Sequence, residues 1–294
     1  MKIGIMGLGN IAQKAYLPIL NQMNEIDWIY HTRNKETLKI LKSKYNWDCA
    51  TSDFNIFMNS GLDAVMIHTP TSTHYQLIKL FLNRGIHVYV DKPVSESIEE
   101  VEELYALAKE KGVVLMVGFN RRYAPMYQKL KSIPGKNLLY LQKHRDNVVQ
   151  DSTFALYDMM IHMVDLAVYL LDEEIVASIP HVRRDNNHLI YASLTLHTKN
   201  SSAFISINMQ AGSRIETVEL MSEEGHYRTE NMDKLTVTQG NDVRIEQFGD
   251  WTPTLEKRGF SQIIQAFISN VEHQQTPNHL QSHQLVETLV KCKK

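Results

Sequence analysis

The stretch Lys2-Ile3-Gly4-Ile5-Met6-Gly7-Leu8-Gly9-Asn10-Ile11-Ala12 decides the fold class. Ile3 to Met6 is an apolar run of strand length, and a Gly-rich turn leads from it directly into a helix. Gly7 permits a tight turn, Gly9 lets backbone approach a pyrophosphate, and Ala12 is small enough for close helix-to-strand packing. Asn10 and Ile11 stand at the helix N-terminus, where unpaired amides and the helix dipole favour an anion, so the stretch reads as a dinucleotide loop. The plain alternative is a structural strand-to-helix turn; position and both flanks speak against it.

Outward from this loop, apolar runs at Ile26–Tyr30, Ala64–His68, Ile86–Val90 and Val113–Val117 alternate with helix-like segments such as Thr73–Arg84 and Ser97–Lys111. In the latter, Val101, Leu104, Tyr105 and Ala108 recur at helical spacing. Such alternation predicts a parallel sheet covered on both faces, a Rossmann-type α/β unit. After Arg122 the pattern changes. A long helix is expected at roughly Leu156–Leu171, followed by alternating stretches at Tyr191–His197, Ala203–Met209, Thr217–Met221, Leu235–Thr238 and Val243–Phe248. Helical periodicity returns at Phe260–Val271 and Leu285–Val290. Strands in a block after a βαβ region predict an α+β domain on a mostly antiparallel sheet. The boundary falls near residue 120, dividing the chain into residues 1–120 and 121–294.

Composition narrows the partners. Lys plus Arg at 31 against Asp plus Glu at 33 gives a net charge of −2, and no dense basic stripe appears, which argues against nucleic acid. Met1 to Leu20 is apolar, but Gly7, Gly9, Asn10 and Gln13 interrupt it as a signal peptide. No apolar run is expected to reach membrane-spanning length. Cys49 and Cys292 are the only cysteines and have no paired spacing, so no disulfide framework or zinc site is expected; a reducing cytoplasm fits.

Where the second strand ends, an NAD-binding loop commonly carries an Asp or Glu for the adenosine ribose. Here the residues are Tyr30-His31-Thr32-Arg33-Asn34, without a carboxylate. Thr32 and Arg33 suit a 2′-phosphate, so NADP is preferred over NAD; otherwise Arg33 is a solvated residue and either cofactor serves.

Lys92, in Val90-Asp91-Lys92-Pro93, lies at a strand exit, where open α/β sheets bind ligands. Hydride transfer between a carbinol and nicotinamide needs a group that handles the hydroxyl proton. As a base, Lys92 would need its amine pKa brought down from about 10.4; otherwise it polarises or orients the hydroxyl. Pro93 biases Lys92 to an extended backbone and allows a cis bond. Taken alone, a strand-end lysine is more often solvated. On the long helix, Asp158 and His162 stand at i and i+4 with Asp165 three further on, so a carboxylate can orient an imidazole. In isolation such a pair is more often structural, and the absence of a further ligand cluster argues against a metal.

These motifs in order resemble the glucose-fructose oxidoreductase, inositol dehydrogenase and rhizopine-catabolism superfamily, Gfo/Idh/MocA, over nearly the whole chain. The family's Glu-Lys-Pro matches Asp91-Lys92-Pro93, and its Asp-x-x-x-His matches Asp158 and His162. Its Thr-Pro and following His match Thr69, Pro70 and His74; its Arg-rich stretch matches Asn120-Arg121-Arg122-Tyr123. The resemblance implies a Rossmann domain followed by an α/β domain on a large open sheet. It also implies that Lys92 and His162 contact the reacting hydroxyl, that Asp158 orients His162, and that Thr69, Pro70 and His74 line the nicotinamide side. The same resemblance implies that Asp91 stands beside the cofactor and that Asn120 or Arg122 reaches substrate. Lys143-His144-Arg145-Asp146 with Tyr157-Asp158 is similar to a branch labelled virulence-factor-like. Asp91 departs from the family's Glu, shortening the carboxylate by one methylene.

The function expected is an NAD(P)-dependent dehydrogenase or reductase of a sugar, cyclitol or related polyol. The alternatives are an NAD-retaining glycosidase-like enzyme and a non-catalytic nucleotide- or sugar-sensing regulator on the same fold. The second domain's sheet should leave a face for pairing between subunits, with Val218, Leu220, Leu235 and Val237 as candidates, giving a homodimer or homotetramer; the plain alternative is that these four pack on the domain's own helices.

Overall fold

The fold was obtained as a computed structural model, which describes residues 1–292. The chain forms two compact units, Met1–Gly118 with Ile263–Leu280, and Phe119–Gln262 with residues 281–292.

In the first unit, six strands, β1 (Lys2–Met6), β2 (Asp27–His31), β3 (Ala50–Thr51), β4 (Ala64–Ile67), β5 (His87–Val90) and β6 (Leu115–Val117), form one sheet in the order β3-β2-β1-β4-β5-β6. Every pairing is parallel. Ile3, Ile5, Val65, Ile67, Val88 and Val90 are fully buried, as strands covered on both faces require. The chain leaves β1 for β2 on one side and returns as β4 on the other, so the order reverses where Met6 stands beside both His31 and Ile67. That reversal opens a crevice at the strand ends.

Local chemistry sets the helix ends. Ser97 caps Ile98–Lys111 by accepting from Glu100 N (3.3 Å), and Gly112 closes it at φ +65°. Val101, Leu104 and Ala108 are its buried stripe. Asn34 caps Lys35–Tyr45 through Thr37 N (3.0 Å).

The segment Ile263–Leu280, expected within residues 121–294, belongs instead to the first unit. The helix Phe260–His273 buries Ile263, Ile264, Phe267 and Val271, and the Phe267 ring lies 5.4 Å from that of Tyr89 on β5. Thr276 Oγ1 donates to Val113 O (3.4 Å). Periodicity shows which face of a helix is apolar but not which sheet will cover it.

The second unit carries eight strands: β7 (Lys136–His144), β8 (Ala177–Asp185), β9 (His188–His197), β10 (Ser202–Asn208), β11 (Ile215–Ser222), β12 (Gly225–Glu230), β13 (Lys234–Gln239) and β14 (Asp242–Gln247). Their order is β14-β13-β12-β11-β7-β10-β9-β8, antiparallel except for β7 beside β10. Leu139, Leu220, Tyr227 and Val237 stand side by side across four strands and are buried. Val218 and Leu235 share this inner face, so the four residues expected to pair between subunits pack inside their own domain. The opposite face carries the row Ile179, Thr195, Phe204, Tyr140 and Glu219, with the Tyr140 and Phe204 rings stacked at 5.1 Å.

The stretch Ser152–Leu171 is helical for 20 residues and apolar enough to cross a membrane, longer than the sequence reading allowed for. Of its 18-residue window, 78% is buried inside the fold, which makes it a core helix. It is not uniform: an α-turn at Ser152–Ala155 gives way to a π-helical turn at Leu156–Met160 before α-geometry resumes at Ile161–Leu171.

Candidate active site

A cavity of about 610 Å³ opens over the dinucleotide loop, lined by Gly7, Leu8, Gly9, Thr32, Arg33, Asn34, Thr69 and Pro70 among others. Gly7 has φ +94°, and a Cβ there would meet the His68 carbonyl and Thr69 Cγ2 at 2.9 Å, so only glycine fits. A Cβ on Gly9 would instead project into open space, the place where backbone can come close to a phosphate. Gln13 N donates back to Gly9 O (3.0 Å), leaving the earlier amides of the helix start without intrahelical acceptors. Asn10 and Ile11 are exposed at this start, and Ala12 is fully buried beneath it. The cavity lining holds no carboxylate. Arg33 is exposed at its rim, and Phe54 supplies an aromatic wall. Amides, an apolar wall and one arginine fit a nicotinamide dinucleotide.

Beyond β5, the Lys92–Pro93 bond is cis. Asp91 accepts from Tyr16 Oη at Oδ1 (2.7 Å) and pairs at Oδ2 with His68 Nδ1 (2.8 Å). Burial pushes the Asp91 carboxyl up, but the charge of His68 and the hydrogen bonds from His68 and Tyr16 outweigh it and hold it below its ordinary value. Gly118 makes room for this group: a Cβ there would stand 2.8 Å from Tyr89 Oη and 3.3 Å from Asp91 Oδ1.

His74, expected on the nicotinamide side, is buried and absent from the cavity lining. Its Nδ1 lies 2.8 Å from Pro93 O and its Nε2 2.8 Å from Thr69 O. It ties the loop after β4 to the loop after β5 and so acts on the cavity through Thr69. Burial lowers its pKa, while the two carbonyls, which ask for two N–H donors, pull the other way.

In the second unit, the π-helical turn carries Asp158, half-buried, and His162 follows on the next turn, buried. Asp165 does not join them at a shared surface. It is fully buried, clamped by Arg122 through Nε (2.8 Å) and NH2 (2.6 Å), and accepts from Ser282 Oγ (2.9 Å). Arg122, expected to reach substrate, is therefore committed to Asp165 and lies over the Tyr169 ring at 5.5 Å. Asn120, the other candidate, is buried and donates to Arg258 O (2.8 Å). Both residues fix the backbone around the short helical turn Asn120–Tyr123.

Among known proteins, the oxidoreductase family with an NAD-binding Rossmann fold, GFO_IDH_MocA, matches residues 1–119, and the YceM-like C-terminal domain matches residues 125–240. The chain is 35% identical to YceM of Salmonella typhimurium over 94% of this chain and 91% of that one. It belongs to the Gfo/Idh/MocA oxidoreductase family. The crystal structure of the dehydrogenase MviM from Clostridium difficile superposes with a TM-score of 0.90 at 33% identity, covering 99% of both chains. The scyllo-inositol 2-dehydrogenase (NAD(+)) of Bacillus subtilis is 35% identical over 46% of this chain and 42% of its own. As a Gfo/Idh/MocA protein with dehydrogenase relatives, the chain is a nucleotide-dependent dehydrogenase.

Within this Gfo/Idh/MocA framework, one polar cluster was not foreseen. Glu216 takes Arg121 Nε and NH2 (both 2.7 Å), Lys143 Nζ (2.8 Å) and Tyr127 Oη (3.2 Å) in a buried group. Burial pushes Glu216 up, but Arg121 and then Lys143 hold it far below the usual carboxylate range. Burial, with Arg121 beside it, brings the Lys143 amine down to about 8 despite Glu216. The signal lay in strand parity. Lys143 shares the face of Leu139 and Leu141, Glu216 that of Val218 and Leu220, and the two pair directly across β7 and β11. Charges at core-facing positions on two adjacent strands must meet each other.

Proposed function

We propose that this dehydrogenase moves a hydride between nicotinamide and a hydroxyl or carbonyl of a sugar, cyclitol or related polyol, with NADP preferred over NAD. The carboxylate-free cavity carries the cofactor part: Gly7 and Gly9 admit the pyrophosphate, while Thr32 and Arg33 take a 2′-phosphate. The scyllo-inositol dehydrogenase among its relatives supports a polyol substrate.

Bound nicotinamide supplies the hydride acceptor or donor. Lys92 orients the reacting hydroxyl and lowers the cost of the alkoxide that develops there. His162 takes the hydroxyl proton when the alcohol is oxidised and returns it when the carbonyl is reduced, with Asp158 holding its ring. Thr69 and Pro70 line the nicotinamide side, and Asp91 fixes the backbone that presents Lys92. The outward row of the second unit's sheet, with Phe204 at 37% and Ile179 at 59% exposure, pairs subunits into a homodimer or homotetramer in the cytoplasm.

The test titrates NADPH and NADH by nicotinamide fluorescence, then screens polyols for nicotinamide absorbance change. Lys92→Ala should lower kcat/KM by about 10²- to 10⁴-fold with nucleotide affinity kept, and His162→Asn should remove one limb of the pH profile. Absence of nucleotide binding, or normal turnover by Lys92→Ala, overturns this assignment.

A further inference from the structure

The inward face of β7 continues past the apolar residues Leu139 and Leu141 to Lys143 and, two residues on, Arg145. Arg145 N donates to Asn208 O (2.8 Å), which holds its backbone beside the end of β10. Its side chain turns to the π-helical turn, where Nε donates to Met159 Sδ (3.2 Å), next to Asp158. A thioether is a weak acceptor and carries no charge. Among the described residues no carboxylate is in direct salt-bridge contact with Arg145, although the side chain is half-buried.

The neighbouring charges do not supply the missing anion. Glu216 is saturated by Arg121, Lys143 and Tyr127, and Asp146, next in sequence to Arg145, is bonded to Arg214 Nε (2.8 Å) and acts on Arg145 through its charge alone. Four cations, Arg121, Lys143, Arg145 and Arg214, thus face three carboxylates, Asp146, Asp158 and Glu216, and the excess positive charge gathers at the end of β7 beside the turn that carries Asp158. Lys143 has three N–H donors and gives one to Glu216. Holding a guanidinium partly out of water without an anion is costly, and a bound anion would remove that cost.

We propose that Arg145 and Lys143 form an anion subsite that holds the carboxylate or phosphate of an acidic or phosphorylated sugar. This inference rests on the polyol reading above and narrows it: the reacting hydroxyl belongs to a molecule that also carries a negative group. Arg145 supplies a planar fork suited to either anion, and Lys143 a point charge beside it. The lowered amine of Lys143 adds a signature, because an anion arriving there favours the ammonium and binding near pH 8 takes up a fraction of a proton.

The experiment first confirms nucleotide binding, then titrates the NADP-loaded protein calorimetrically with D-glucuronate, D-glucose 6-phosphate and D-glucose. Buffers of differing ionisation enthalpy at pH 8 report the proton uptake. Either glucuronate or glucose 6-phosphate should bind at least about tenfold more tightly than glucose, with proton uptake; which of them does so tells carboxylate from phosphate. Arg145→Met, close in volume, should erase that preference while NADPH affinity stays unchanged, and Arg145→Lys should restore part of it. Anions that bind no better than glucose, or a preference that survives Arg145→Met, overturn the subsite and leave the dehydrogenase assignment standing. A protein that binds neither nucleotide overturns the dehydrogenase assignment itself, whatever the anions do.

Discussion

His68 Nδ1 lies 2.8 Å from Asp91 Oδ2, with the His68 ring packed 4.0 Å from that of Tyr16, whose hydroxyl holds the other carboxylate oxygen at 2.7 Å. Asp91 stands where the family's tripeptide has Glu, and here the shorter side chain is met by an imidazole from β4's end and a phenol from the first helix. Both oxygens are satisfied, so the residue beside Lys92 has a single, defined position. The ring's Nε2 is buried with no hydrogen-bond partner, so His68 engages the site through Nδ1.

Asp91→Ala should therefore destabilise the fold by about 2 to 4 kcal/mol, because it leaves the buried His68 imidazole without its acceptor and the Tyr16 hydroxyl with Tyr89 Oη (2.8 Å) in place of a carboxylate. Urea unfolding checks this. Asp91→Asn, which keeps the shape, should cost less, and equal losses for the two variants would contradict a carboxylate-specific role.

Stability should fall steeply in acid. Asp91 and Glu216 both have folded pKa values below their ordinary ones. Their contribution is complete above the unfolded carboxylate pKa of about 4 and is lost as pH drops through the lower folded values. Glu216→Gln should flatten the acid limb of a stability-versus-pH curve. At pH 7 it should cost about 3 to 5 kcal/mol, since Arg121 and Lys143 would remain as buried cations. An unchanged acid limb would remove Glu216 from this account.

Cofactor choice should turn on Arg33. Arg33→Ala should weaken NADPH binding by about tenfold and leave NADH within about twofold, measured by fluorescence titration. Equal weakening of both nucleotides would place Arg33 on adenine or solvent instead of on the 2′-phosphate.

Phe204→Glu should shift the protein toward a monomer in sedimentation velocity, since it puts a charge beside Tyr140 in the outward row. A mass unchanged from wild type would exclude this face as the subunit interface. Val218→Ala, by contrast, should lower stability without changing mass, because Val218 is fully buried within its own domain.

The parallel sheet was readable because its strands are covered on both faces and appear as continuous apolar runs. β7 was harder to see, with Leu139 and Leu141 as its only buried residues and charges at either end, although it sits near the centre of the second sheet. β8 was missed for the same reason, with Val182 alone buried. Asp158, His162 and Asp165 read as one stripe on a regular helix. The π-helical turn takes Asp158 off the regular spacing, the Arg122 clamp draws Asp165 into a buried ion pair, and neither leaves a trace in residue spacing.

The sequence by itself determined the elements whose cause is local: the Gly7–Gly9 turn, the Ser97 cap, the alternation that makes a parallel sheet, and the strand-end position of Lys92. Tertiary structure alone decided which partner each polar side chain would take. It sent Arg122 to Asp165 and Asn120 to a backbone carbonyl, turned His74 into a tie between two loops, and assigned Ile263–Leu280 to the first unit. The reason is physical: a buried charge or amide must find its complement wherever the fold brings one near. Those complements lie 43 residues away for Arg122 and 138 for Asn120, far beyond the reach of any local pattern.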